Sequence, residues 1–175
     1  MKMKLQKLLI TAILLVSCQL LFGQQKKNPW EKWNFLIGEW VGEGNGQPGQ
    51  GEGKFSFQKD LDGNILVRKN RTSFPEIANS KAFVHEDLLI VYPGSEVTPR
   101  EAIYFDNEGH IIKYKISFIE NSVILTSDLV AGTPRFRLKY VPIDSNTVKI
   151  DFEMASPEKP EEFKMYLEGK ANKIN

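Results

Sequence analysis

The chain has one cysteine and two histidines in 175 residues, and no histidine after His110. The cysteine, Cys18, sits in the apolar N-terminal segment, so the rest of the chain carries no thiol. Disulfide scaffolds, cysteine catalysis and thiolate metal sites are excluded from that part. An excess of charge of either sign is also missing. Lys and Arg number 23 against 22 Asp and Glu; removing Lys2, Lys4 and Lys7 leaves 20 against 22, a balance of −2. A polyanion binder needs a concentrated basic face, and here the charges are interspersed, so nucleic acid is not an expected partner. Lys26 and Lys27 fit a solvated tether. Long apolar runs are lacking too: the stretch from Leu8 to Gly23 contains Ser17, Cys18 and Gln19. It falls short of the about 20 apolar residues that a permanent membrane helix requires.

What stands at the N-terminus is an export pattern. Lys2, Lys4 and Lys7 precede a mainly apolar stretch from Leu8 to Val16, followed by Ser17 and Cys18, so residues 1–23 are expected to be a signal peptide. Two ways of processing it stay open. "LVSC" at 15–18 is similar to a bacterial lipobox, in which Cys18 becomes the lipidated first residue and anchors the protein to a membrane. Cleavage after Gly23 would instead release a chain beginning at Gln24, and the greasy "LLF" after Cys18 suits that alternative. The location is then periplasmic or extracellular, or lipid-anchored in the envelope. A tether over 24–29 and one domain over 30–175 follow.

Pro29, with Trp30, Trp33, Phe35 and Leu36 on one side, predicts a short helix or turn before the first strand. From Ile37 onward the helical period disappears. Runs rich in Val, Ile, Phe and Tyr recur between turn signals at a spacing of about eight to twelve residues. Ten are distinguishable: 37–44, 51–59, 64–74, 83–93, 100–106, 110–119, 122–131, 135–141, 147–155 and 162–170. "DLDGN" at 60–64 and "DNEG" at 106–109 supply residues that tolerate positive φ, and "PIDSN" at 142–146 is taken to be similar. Short hairpins throughout predict an all-β antiparallel meander, which hides its edges by closing into a barrel. Phe136, Leu138 and Tyr140 alternate with Arg135, Arg137 and Lys139, and Val148, Ile150, Phe152 and Met154 form a second inward set. With ten strands, more than side chains alone tend to fill, the barrel is expected to enclose a cavity.

The stretch "FLIGEWVGEG", with Gly38, Trp40, Gly42 and Gly44 after a short helical lead, resembles the Gly-x-Trp opening of the calycins, which include the lipocalins. More closely, it resembles the nitrobindin-like heme-binding β-barrels. Their pattern continues through a glycine-containing loop to a strand ending in Arg-Thr, matched by Arg71 and Thr72. A strand with a His and an acid two residues on follows, matched by His85 and Asp87. The resemblance implies a ten-stranded barrel, structural roles for Gly38 and Trp40, and heme as a conceivable cofactor held through His85. It departs from the family at the late iron-ligating histidine, because only Met154, Met165, Tyr140 and Tyr166 stand in that half as axial groups.

The run "NILVRKNRTSF" interrupts a strand that should bury one face. Val67, Lys69 and Arg71 share one side, and Leu66, Arg68 and Asn70 share the other, so a basic side chain turns inward whichever face is buried. A buried cation needs a partner such as Asp87 or Glu101, or an anionic ligand group. An ordinary salt bridge at the barrel mouth is the plainer alternative. His85 and Asp87 can converge on one face while Glu86 cannot, which leaves too few ligands for a metal site. His110, next to a turn glycine, is expected to be exposed. The candidate ligand-binding set is Arg68, Arg71, His85, Asp87, Glu101 and Tyr104.

The glycines between 42 and 53 do not cradle a nucleotide. "GEGKFSF" leads into strand alternation, with neither the Lys-Ser/Thr and helix of a phosphate loop nor a βαβ unit. They are expected to connect the first two strands near the mouth, with Gln47 and Gln50 covering it. Two classes of function follow. One is an exported lipocalin-like barrel that binds a small hydrophobic or amphipathic molecule, with Trp40 packing the closed end and Arg68 or Arg71 meeting a polar head. The other is an enzyme with His85 as acid or base beside Asp87 or Glu101, although no nucleophile motif is present. A filled barrel serving as an interaction domain is a third.

Overall fold

The structure, a computed structural model, describes residues 28–43, 52–77 and 81–174. Ten strands follow one another: β1 (Gly38–Gly42), β2 (Glu52–Asp60), β3 (Ile65–Phe74), β4 (Phe83–Tyr92) and β5 (Glu101–Asp106), then β6 (Ile111–Ile119), β7 (Ser122–Ser127), β8 (Arg135–Pro142), β9 (Thr147–Ala155) and β10 (Lys164–Ile174). Each pairs antiparallel with its neighbours in sequence, and β1 also pairs with β10, where Glu39 faces Ile174 and Gly42 faces Ala171. The meander is therefore a closed barrel of calycin-like form, in which none of the ten described strands leaves a free edge to recruit another chain.

Alternation decides which face is inside. In β8 and β9, Leu138, Tyr140 and Val148 are buried, and Phe136 stacks on Phe152 at 5.7 Å. The outward residues Asp151 and Glu153 are buried as well, because cations cover them. Arg137 and Lys139 both pair with Glu153, and Lys149 lies 3.2 Å from Asp151. The Phe163 ring caps Arg137, 4.1 Å from the guanidinium carbon.

One end of the barrel is plugged. The expected short helix is a single 3-10 turn, Glu31–Trp33, which carries Trp33 and the following Leu36 into the interior, both fully buried. Trp33 contacts Phe57 and Phe118, with centroids 6.2 and 5.9 Å away. Trp40 stacks on Phe55 at 5.9 Å and donates its indole N–H to the Leu36 carbonyl at 2.8 Å. Trp30 donates to the Gly63 carbonyl at 2.7 Å, tying the lead to the β2–β3 turn. Each such side chain contributes roughly 1.5–3 kcal/mol by burial. The plug thus uses the apolar side that Trp33 and Leu36 present in the sequence.

Three expectations are corrected. The seventh strand ends at Ser127, not 131, since pairing with β8 stops at Thr126 and leaves Leu129 and Val130 exposed. The tenth runs over Lys164–Ile174, not 162–170, because residues 171–174 close the ring on β1. The turn over 142–146 has no positive φ, unlike Leu61, Asp62, Gly63 and Gly109 in the other two turns. There, backbone N–H groups of Ile143 and Asp144 bond the Thr147 carbonyl instead. The export segment with Cys18, tether residues 24–27 and the glycine segment 44–51 with Gln47 and Gln50 lie outside the described residues. Among the described residues, no helix is long and apolar enough to cross a membrane.

Candidate ligand site

At the end opposite the plug, β3, β4 and β5 turn polar side chains inward. The registers place Asn70 opposite Asp87, Thr72 opposite His85, Leu89 opposite Tyr104, and Asp87 opposite Asp106. Because inward positions recur every second residue, Arg68, Asn70 and Thr72 share the interior face with His85, Asp87, Tyr104 and Asp106.

Arg68 Nη1 lies 3.0 Å from Asp87 Oδ1, and Asn70 Nδ2 donates to Asp87 Oδ2 at 2.8 Å. His85 Nε2 is 3.4 Å from the same Oδ2 and 3.1 Å from the Tyr104 hydroxyl, while Nδ1 is 2.9 Å from Glu108 Oε1. Tyr104 donates to Asp106 Oδ2 at 3.2 Å, and His110 Nδ1 lies 2.8 Å from that oxygen. Both histidines of the chain thus belong to one network.

Electrostatics follow from this packing. Burial disfavours the Arg68 charge, yet Tyr140, Asp87, Tyr104 and Tyr114 around it outweigh that and hold its pKa above the ordinary value. Burial raises the pKa of the Tyr104 and Tyr114 phenols and pushes Tyr140 up to about 12, so all three are neutral hydroxyls at neutral pH. Burial opposes ionisation of Asp106 too, but backbone and side-chain hydrogen bonds from His110 and the Glu108 amide reverse the sign and lower its pKa.

The opposite wall is apolar. Phe136, Ile150 and Phe152 face inward and are only partly buried, and Leu167, paired with Phe152 beyond a bulge between Met165 and Leu167, is 48 % exposed. Gly169 faces Ile150 across the β9–β10 pairing, and a Cβ added there meets no atom within 4 Å. The side of Gly169 that shares its face with Ile150 is therefore open, in contrast to the packed plugged end.

The sequence-derived site residues divide. Arg68, His85, Asp87 and Tyr104 come together inside. Arg71 lies on the outer face, paired with Glu86, at a surface groove of about 600 Å³ that Lys54, Lys69, Leu88 and Phe105 also line. Glu101 is 2.5 Å from Lys115, whose hydrogen bond and charge lower its pKa. It is not the partner of Arg68 or His85; Asp87 is. Gly38 has φ +130° and opens β1, and Trp40 packs toward the plug. His110 is exposed as expected, but it is tied to Asp106. Asn70, Asp106 and Glu108 join the network without having been singled out as site residues. Alternation already put Asn70 on the face of Arg68, whereas Asp106 resembled an ordinary turn residue.

Heme does not fit this arrangement. An axial histidine needs a ring nitrogen directed at open space, and both nitrogens of His85 face protein oxygens. Among the described residues, no group of three or more His, Cys, Asp or Glu side chains could hold a metal ion. The chain matches no protein-family model, and no curated protein is significantly similar to it in sequence.

Proposed function

We propose that the protein is an exported, lipocalin-like barrel that binds a small hydrophobic or amphipathic molecule in its interior. The observation that carries this reading is the open space beside Gly169, on the inward strand face that it shares with the partly buried Ile150 and Phe152 and the exposed Leu167. Apolar side chains that face inward yet remain accessible form the kind of lining that small-molecule sites use, with a few polar groups on one side. The His85–Asp87–Tyr104 wall supplies those groups. Export rests on the N-terminal pattern, with the lipid-anchored form at Cys18 and cleavage after Gly23 as its two outcomes. The calycin-like form supports binding, while the positions of both His85 nitrogens argue against heme as the ligand.

The test combines native mass spectrometry of protein purified from its source with titration of the fluorescent apolar probe N-phenyl-1-naphthylamine. Probe binding by the wild type and by Gly169→Ala, together with its loss in a folded Gly169→Trp protein whose indole fills the space, is the expected pattern. A wild type that carries no small molecule and binds no probe would overturn the proposal.

A further inference from the structure

The polar wall has a property that specifies the ligand class, on the premise that the interior is the binding site. Below the rim, each ionised side chain that the described strands turn toward this end is already engaged. The Asp87 carboxylate is ion-paired with Arg68 through Oδ1, an oxygen that like Arg68 Nε makes no hydrogen bond among the described residues, and accepts from Asn70 on Oδ2, which His85 also faces. The Asp106 carboxylate receives four groups: backbone N–H from Glu108 and His110 on Oδ1, and Tyr104 and the His110 ring on Oδ2. Glu108 faces His85. Of the other cations on the inward face, Lys173 is at the plugged end, above the Trp40 ring and 3.5 Å from the Phe35 carbonyl, and Lys164, opposite Met154 at the start of β10, is exposed at the rim. Uncharged groups have hydrogen-bonding capacity left over: the Asn70 amide oxygen, the Thr72 hydroxyl proton and one lone pair of the Tyr104 hydroxyl, whose other accepts from His85.

We infer that the barrel selects amphiphiles whose headgroup is uncharged and hydrogen-bonding, an alcohol or a primary amide, and discriminates against carboxylates and ammonium groups. A carboxylate at this wall, below the rim where Lys164 stands exposed, would lose its water beside Asp87 and Asp106 and gain no cation whose charge is not already balanced, because Arg68 is paired with Asp87. An ammonium group would find no free carboxylate and would lie near Arg68. A hydroxyl or amide loses far less solvation and matches the leftover donors and acceptors.

The experiment measures displacement of N-phenyl-1-naphthylamine from the wild-type protein at neutral pH by four probes with one chain length: decan-1-ol, decanamide, decanoate and decylammonium. Decanol and decanamide are expected to bind at least about tenfold tighter than the two ions. Decanoate or decylammonium binding as tightly as the neutral pair overturns the inference and leaves the binding function standing. If none of the four binds, and the fluorescent probe does not bind either, the binding function itself fails and the inference with it. A folded Asp87→Asn variant, which leaves Arg68 unneutralised, is expected to shift preference toward decanoate. An unchanged preference in that variant counts against the charge balance as the selecting device.

Discussion

The Arg68 guanidinium meets the Asp87 carboxylate diagonally across the β3–β4 pairing, Nη1 to Oδ1 3.0 Å, with side chains 11 % and 3 % exposed. The Phe55 ring lies against the cation, its centroid 5.6 Å from the guanidinium carbon. Removing one partner leaves the other charge buried, a mechanism that costs about 3–5 kcal/mol. Asp87→Ala is expected to lose that much in urea unfolding, while the double change Arg68→Met with Asp87→Leu loses much less. Equal losses would show that the pair itself, not the stranded charge, carries the stability.

Tyr140 presents the opposite case. Its ring packs on Phe57 at 5.4 Å, but among the described residues its buried hydroxyl has no hydrogen-bond partner. Tyr140→Phe keeps the packing and deletes the unpaired group, so stability is expected to hold or rise by about 1 kcal/mol. A clear drop in thermal midpoint would mean that the hydroxyl is engaged in the folded protein.

Gly38 and Gly169 are expected to respond differently to a methyl group. At Gly38, φ is +130° and a Cβ would stand 2.8 Å from Lys173 Cε; at Gly169 it would meet nothing within 4 Å. Gly38→Ala should therefore cost about 1–3 kcal/mol of backbone strain. Gly169→Ala should be close to neutral by the same denaturant measurement, and similar losses at both sites would contradict the assigned geometry.

Acid stability should depend on Asp106. Burial works to raise its pKa, but hydrogen bonds from His110 and the Glu108 amide hold it below the usual carboxylate range. A carboxylate with a depressed folded-state pKa contributes stability that is present above its unfolded pKa and lost as pH falls through the folded value. The wild type should lose part of its stability below about pH 4, and Asp106→Asn should flatten that slope. The check is unfolding free energy against pH for both proteins; parallel curves would exclude Asp106 as a source of the dependence.

Much of the interior network was legible as period-two spacing. Arg68 and Asn70, and His85 and Asp87, each stand two residues apart, so strand alternation alone put each pair on one face. Alternation does not say which face is inside, nor does it align one strand with the next. Arg71 and Glu101 entered the candidate set for that reason, and the registers put them on the outer surface with Glu86 and Lys115.

Fold class, strand number and most strand bounds could be read along the chain, because turn residues and apolar alternation are local properties. The closure of β1 on β10, the choice of Asp87 over Glu101 as the partner of Arg68, and the open space beside Gly169 emerge only in the folded barrel. Those depend on register between strands and on how the Trp33 plug fills one end but not the other, and these are relations between residues far apart along the chain.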